Sequence, residues 1–321
     1  HNVTFGAQVT SIPERAFNNS PLSEISIPAT VETIGSYAFS GCAALASVNL
    51  NDGLTRIGNR VFSNCTALTQ IEIPATVETV GHPGYSDGSV FDGCTSLETL
   101  IIADGDTELS ADFSCPSLKN LYLGRNCNNT WNNYDTPELS SVTLGTGITT
   151  IAKEAFKSCS KLASITISAS VKNIHSYAFQ NCSALKTVII EDSAEPLVFA
   201  QDYTKDIYTD PPRYTYYSDW FKNAGIENLY IGRPTEISLF EHNPAYPFKG
   251  ITSIKNLTIK NCEEIRANEF NGCTGLSEVT LPESLTTIGG SAFSDCAAIS
   301  HIDLPESLTT IGGSAFSDCA A

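Results

Sequence analysis

The chain has no methionine, two tryptophans, and only 17% charged residues among its 321. It has no apolar run near the ~18 residues that a membrane-spanning helix requires, so no membrane insertion is expected in this segment. Lys and Arg number 18 against 35 Asp and Glu, a formal charge of −17, and they gather into no stripe. Phosphate backbones need a basic footprint, which excludes nucleic acid as a partner. The 11 cysteines include no Cys-x-x-Cys pair and are odd in number, which argues against a zinc site or a closed disulfide framework. His1, His82, His175, His242 and His301 fall in separate regions, no Ser, His and Asp meet at neighbouring repeat positions, and no phosphate loop is present. The expectation is therefore no enzyme, no cofactor and no metal. The chain begins at His1 rather than Met, so it reads as a processed or excised piece whose export signal or anchor would lie outside it.

What the sequence does have is repetition. Leu281 to Ala298 returns letter for letter as Leu304 to Ala321, 23 residues later. An aromatic anchor recurs at Phe17, Phe39, Phe62, Phe91, Phe113, Tyr134, Phe156, Phe179, Phe221, Phe248, Phe270, Phe293 and Phe316, mostly at intervals of 21 to 23. After each anchor come polar residues, a cysteine, a leucine and a short alternation such as Val48 and Leu50 or Ile71 and Ile73, the period of a strand with one buried face. Units of this length cannot bury their apolar side alone, and stacking them into a solenoid supplies the missing partner.

Nine cysteines, Cys42, Cys65, Cys94, Cys115, Cys159, Cys182, Cys273, Cys296 and Cys319, share one repeat position. They read as a ladder of small buried residues rather than ligands. The glycine of the Ile-Gly step is replaced by Pro13, Ala152 and His175, so that position does not demand a positive φ.

Val31 to Leu50, Leu54 to Ile73, Ile148 to Ile167, Val171 to Ile190 and Leu285 to Leu304 follow the order strand, Val or Leu, Thr-x-Ile-Gly, Ala-Phe-x-x-Cys. This pattern resembles the BspA-like branch of the leucine-rich repeats. The resemblance implies a right-handed β/α superhelix with a parallel sheet on one face and short helical turns on the other, forming a single solenoid over 1–321. It also implies secreted or surface-displayed proteins, often bacterial and some of them adhesins.

Function is sought where the repeat is interrupted, at 82–89, 191–220 and 236–247. The second interruption is the largest, with 42 residues between Phe179 and Phe221, and it holds Tyr203, Tyr208, Tyr214, Tyr216 and Tyr217 among acids. The third carries Tyr246. All three lie between a strand and the next anchor, and the last two are expected to touch. Tyrosine offers wide contact at low entropic cost, so these loops are candidate recognition surfaces, with mutual packing as the alternative. On the sheet face, alternation turns a field of small polar residues outward, with Tyr122, Tyr230, Ile101 and Ile189 as exceptions. Asp104 to Glu108 offers oxygen ligands for calcium, a weak signal in so acidic a chain.

The candidate binding residues are thus Tyr203, Tyr208, Tyr214, Tyr216, Tyr217, Tyr246, Tyr122 and Tyr230. The expected function is an extracellular or cell-surface adhesion module, monomeric, recognising a protein or glycan. The alternative is a structural spacer or display scaffold with no ligand of its own.

Overall fold

The computed structural model describes residues 3–81, 89–111, 113–128, 136–206, 213–238 and 245–320, without the side chains of 206, 213 and 214. The 82–89 interruption, apart from Ser89, lies outside the described residues, as do Tyr134, Tyr208, Phe240 and His242. The chain divides into two compact units, 1–148 and 149–321.

In the first unit coils pair a long strand with a short one, except that the coil of Asn120–Arg125 has a single bridge, Leu109 with Cys127, in place of the short strand. The long strands Gln70–Ile73, Thr99–Ile102, Asn120–Arg125 and Ser141–Gly147 form one parallel sheet, and Glu24–Ile27 pairs with Ser47–Leu50. The short strands Ser11–Ile12, Thr33–Ile34, Arg56–Ile57, Thr79–Val80 and Ser110–Ala111 form a second parallel sheet. The second unit repeats the plan. Ser164–Ile167, Thr187–Ile190, Asn228–Ile231, Asn256–Ile259 and Glu278–Thr280 make its long-strand sheet. Its short strands form two groups, Thr150–Ile151 to Thr235–Ser238 and Glu264–Ile265 to Thr310–Ile311.

Register follows the sequence repeat position by position, as Ile73 opposite Ile102 and Ile167 opposite Ile190 show. The alternation expected of the long strands is present: Ile25, Ile27, Ile71, Ile73, Ile165 and Ile167 are buried while Glu24, Ser26, Gln70, Glu72, Ser164 and Thr166 face outward. Anchors stack ring on ring. Phe17, Phe39 and Phe62 follow one another at 5.2 and 5.7 Å, and Phe248, Phe270, Phe293 and Phe316 at 5.8, 5.4 and 5.4 Å. Each ring is covered by its neighbours in the next coils, so burial is a property of the stack and not of any one unit.

The helical turns implied by the resemblance are not found, because no described residue is in a helix. The reason lies in where the amides point. The N–H groups of Tyr37, Phe39 and Gly41 donate across to the carbonyls of Asn59, Val61 and Ser63 in the next coil, while those of Ala38, Ser40 and Cys42 close turns within their own coil. A helix needs all its amides along one axis. Here every second one binds the neighbouring coil, and residues at positive φ, Tyr37 at 60° and Gly41 at 75°, interrupt the run on either side of Phe39. The same pair recurs at Tyr177 and Asn181 and at Ser291 and Asp295, which accounts for the Asn, Asp and Gly two residues past the anchor.

The Ile-Gly glycine has a different cause. A Cβ at Gly58 would lie 2.6 Å from the backbone nitrogen of Ser36, so close approach of coils, and not positive φ, favours glycine at Gly58, as it does at Gly35, Gly289 and Gly312, whereas Gly81 at the same step has φ +75°.

Eight of the nine ladder cysteines are buried, Cys319 being half-buried, and they also bond. The thiols of Cys65, Cys94, Cys182 and Cys296 donate to the carbonyls of Phe39, Phe62, Phe156 and Phe270 at 3.0 to 3.3 Å. Burial pushes Cys94, Cys182 and Cys296 up to about 12, so these thiols stay protonated and inert as nucleophiles.

Candidate functional site

The structure divides the 191–220 interruption into scaffold and projection. Leu197–Ala200 is an ordinary short strand, with Phe199 opposite Ile174 on one side and Ile237 on the other. Phe199 and Trp220 are buried, and the Trp220 indole donates to the carbonyls of Ile174 and Ala200 at 3.0 and 3.2 Å. What projects is an antiparallel hairpin, Asp202–Asp206 paired with Arg213–Tyr217.

The feet of the hairpin are clamped by one buried serine. Ser176 Oγ donates to the Tyr217 carbonyl at 2.7 Å and accepts the Asp202 amide at 2.9 Å, while the Ser176 amide donates to Asp202 Oδ2 at 2.9 Å. His175 Nδ1 lies 3.1 Å from Asp202 Oδ1. Burial pulls the Asp202 pKa up, but the bonds from His175 and Ser176 outweigh it and leave the carboxyl below its usual range.

Along this hairpin, Tyr203 is 49% exposed and sits opposite Tyr216, their rings 6.4 Å apart. Tyr214 is opposite Lys205. Tyr217 is partly buried: its hydroxyl is 3.0 Å from Thr204 Oγ1, its ring meets Tyr177 edge-on at 5.8 Å, and Lys153 Nζ lies 4.3 Å over it. Among the candidates with described side chains, Tyr203 is exposed, while Tyr216 beside it and Tyr217 are half-buried.

Tyr246 stands elsewhere in the second unit, lining a cleft with Asp219, Lys222, Asn223, Lys249, Thr252 and Ser253, and Lys249 Nζ is 5.9 Å from its ring. Interruptions two and three do meet at their bases, where Gln201 N–H donates to Ser238 Oγ at 3.1 Å.

Tyr122 and Tyr230 lie on the outward faces of the two long-strand sheets, one in each unit. Tyr122 is opposite Ile101 and donates to Asp104 Oδ2 at 2.7 Å; Tyr230 is opposite Ile189 and donates to Asp192 Oδ1 at 2.6 Å. Hydrogen bonding to the carboxylate, with some burial, raises both phenols above their usual pKa. Asp104 Oδ1 also accepts the Thr146 amide at 2.8 Å, so the acid proposed for calcium is held by protein donors.

Behind each tyrosine the structure holds a residue that sequence reasoning missed. Asn120 to Arg125 reads NLYLGR and Asn228 to Arg233 reads NLYIGR. Arg125 and Arg233 are fully buried. Arg125 donates to the carbonyls of Pro74, Ala75 and Val77 at 3.0, 2.8 and 2.6 Å, and Arg233 to those of Ser168 and Ala169, both at 3.1 Å. Each reaches past one coil to the coil before it. The signal was the recurring hexapeptide, hidden because its first four letters read as an ordinary long strand.

Parallel coils of long and short strands, stacked aromatic anchors and a polar outer sheet define a leucine-rich repeat solenoid. The BspA type leucine-rich repeat region matches in six copies over residues 1–109, 131–243 and 241–321, and the chain belongs to that family. A leucine-rich repeat protein from Bacteroides ovatus is 23% identical over 99% of this chain and 84% of its own, with a TM-score of 0.40. One from Eubacterium ventriosum is 18% identical over 100% and 83%, with a TM-score of 0.36. A leucine-rich cell surface protein from Faecalibacterium prausnitzii is 23% identical over 97% and 86%, with a TM-score of 0.32. Comparison with curated proteins finds no match.

Proposed function

We propose that the chain is an extracellular or cell-surface binding and adhesion module that recognises a protein or glycan through its tyrosine hairpin and outer sheet face, without chemistry of its own. The observation that carries this reading is the hairpin itself. A loop serving only to seal the stack would bury its aromatics, and here Phe199 and Trp220 do so while Tyr203 faces solvent on a projection clamped at its feet by Ser176. A rigid support under an exposed tyrosine lowers the entropic cost of binding. Family membership favours the cell surface as its setting. No helix among the described residues is long and apolar enough to cross a membrane.

The test replaces residues 203–216 with a short Gly-Ser turn, removing Tyr203 and Tyr216 and keeping Asp202, Tyr217 and their serine clamp. Parent and variant are applied to arrays of extracellular matrix proteins and glycans. Loss of binding by a variant whose circular dichroism and melting are unchanged supports the hairpin. Equal binding moves recognition to the sheet face, and silence from both supports the spacer.

A further inference from the structure

The turn face of the second unit opens into a cleft of about 510 Å³, between the turn after Phe221 and the turn after Phe248. Its size falls in the range of small-ligand sites. The lining is a mixture of donors and acceptors: Lys222, Asn223, Lys249, Thr252 and Ser253 with Asp219, and the Tyr246 ring at one side. Such a set does not suit a purely apolar ligand. Lys222 is tied to Asp219 at 2.9 Å, whereas Lys249 has no carboxylate partner among the described residues and rests only near the Tyr246 ring.

One further observation points to a ligand. Nothing lies within 4 Å of where a Cβ would stand on Gly250, so the wall there is open. Charge supports an anion. Residues 149–260 hold 12 of the 18 Lys and Arg against 11 Asp and Glu, leaving 6 basic and 24 acidic residues elsewhere. In a chain this acidic, a negative ligand meets least repulsion in this stretch.

We propose that the cleft binds a carboxylated sugar, a uronic acid unit of an anionic glycan, an assignment that rests on the binding-module reading above and specifies its ligand class. Lys249 meets the carboxylate, Tyr246 offers its ring to the C–H face of the sugar, and Asn223, Thr252 and Asp219 exchange hydrogen bonds with ring hydroxyls. An acidic peptide fits less well. Its backbone needs a free strand edge to pair with, and this cleft is walled by turns.

The experiment titrates the full chain by calorimetry with tetragalacturonate and a hyaluronan tetrasaccharide, then with the methyl ester of the better ligand and with tetraglutamate. Saturable binding of a uronate is expected, weakened about tenfold or more by Lys249→Gln or by esterification, since a charge-assisted bond is lost in each. Tyr246→Ala should weaken ester and acid alike. The variant lacking residues 203–216 should bind uronate as the parent does. Absence of uronate binding, equal binding by Lys249→Gln, or preference for tetraglutamate overturns the assignment. A chain that binds an array ligand through its hairpin but no uronate refutes the cleft and leaves the module standing; loss of uronate binding with the hairpin places the sugar there instead and also overturns it.

Discussion

The coils of Arg125 and Arg233 carry one hexapeptide with a single difference, Leu123 against Ile231, yet their surroundings diverge. Both follow a coil that is longer than usual. Seven positions separate Ile73 from Val80, but nine separate Ile102 from Ala111, its neighbours in register. Likewise seven separate Ile167 from Ile174 and nine separate Ile190 from Phe199. The longer coil bulges, and the arginine fills the space beneath: a Cβ on Gly105 would come within 3.2 Å of Arg125 Cδ. The difference lies in how much each guanidinium satisfies. Arg125 binds three backbone carbonyls closely and Thr107 Oγ1 at 3.2 Å, whereas Arg233 binds two. A common scaffold device therefore has unequal strength in the two units, and only the second unit's longer coil is followed by the tyrosine hairpin.

The largest expected effect tests that inequality. Arg125→Ala leaves three carbonyls without their donor at a cost of about 3–5 kcal/mol, and Arg233→Ala leaves two at about 2–3 kcal/mol. Urea unfolding of both variants should place the Arg125→Ala midpoint lower. Equal midpoints would mean that the count of carbonyls does not set the strength of the clamp. Lysine should rescue neither fully, as it lacks the planar fork that serves adjacent carbonyls.

A smaller effect separates the two tyrosine-acid pairs by pH. The Tyr122 hydroxyl, aided by Thr146, holds Asp104 below the usual carboxylate range against slight burial. A depressed folded pKa contributes stability above the unfolded value of about 3.9, and that contribution fades as pH falls through the folded value. Asp104→Asn should therefore lower the melting temperature at pH 6 and converge on the parent near pH 2. A constant offset down to the lowest pH would show that the pair contributes by packing and not by ionisation.

The regular coils were legible because one period governs strand register, anchor stacking and cysteine placement together. Phe39 over Phe62 and Ile73 beside Ile102 follow directly from spacing. Three things were not legible. Helical turns were expected from the family pattern, but the pattern of letters does not say whether an amide bonds its own coil or the next, and Tyr37 at positive φ carries no sequence mark. Leu197 to Ala200 falls within the interruption when the 42 residues between Phe179 and Phe221 are counted as one long insertion, although the register of Ile174 and Ile237 places it in the sheet. The buried arginines count in the sequence only among 18 scattered cations, since burial of a charge by carbonyls two coils back depends on a bulge in the intervening coil that no letter marks.

The smallest effect concerns the two platforms on the sheet faces. Lys260 Nζ lies 5.8 Å over the Tyr230 ring, while no cation covers Tyr122 among the described residues. A cation over an exposed ring is worth ~0.5–1 kcal/mol, so Lys260→Ala should change stability little. Its consequence should appear in access. Both phenols are hydrogen-bonded to an aspartate and resist ionisation, so nitration by tetranitromethane is slow at each, and Tyr230 carries the additional cover. Removing Lys260 should raise the nitration rate of Tyr230 toward that of Tyr122, as read by peptide mass spectrometry at pH 8. If the rate of Tyr230 is unmoved, the lysine does not shield the ring, and the two tyrosines present equivalent faces despite the different residues around them.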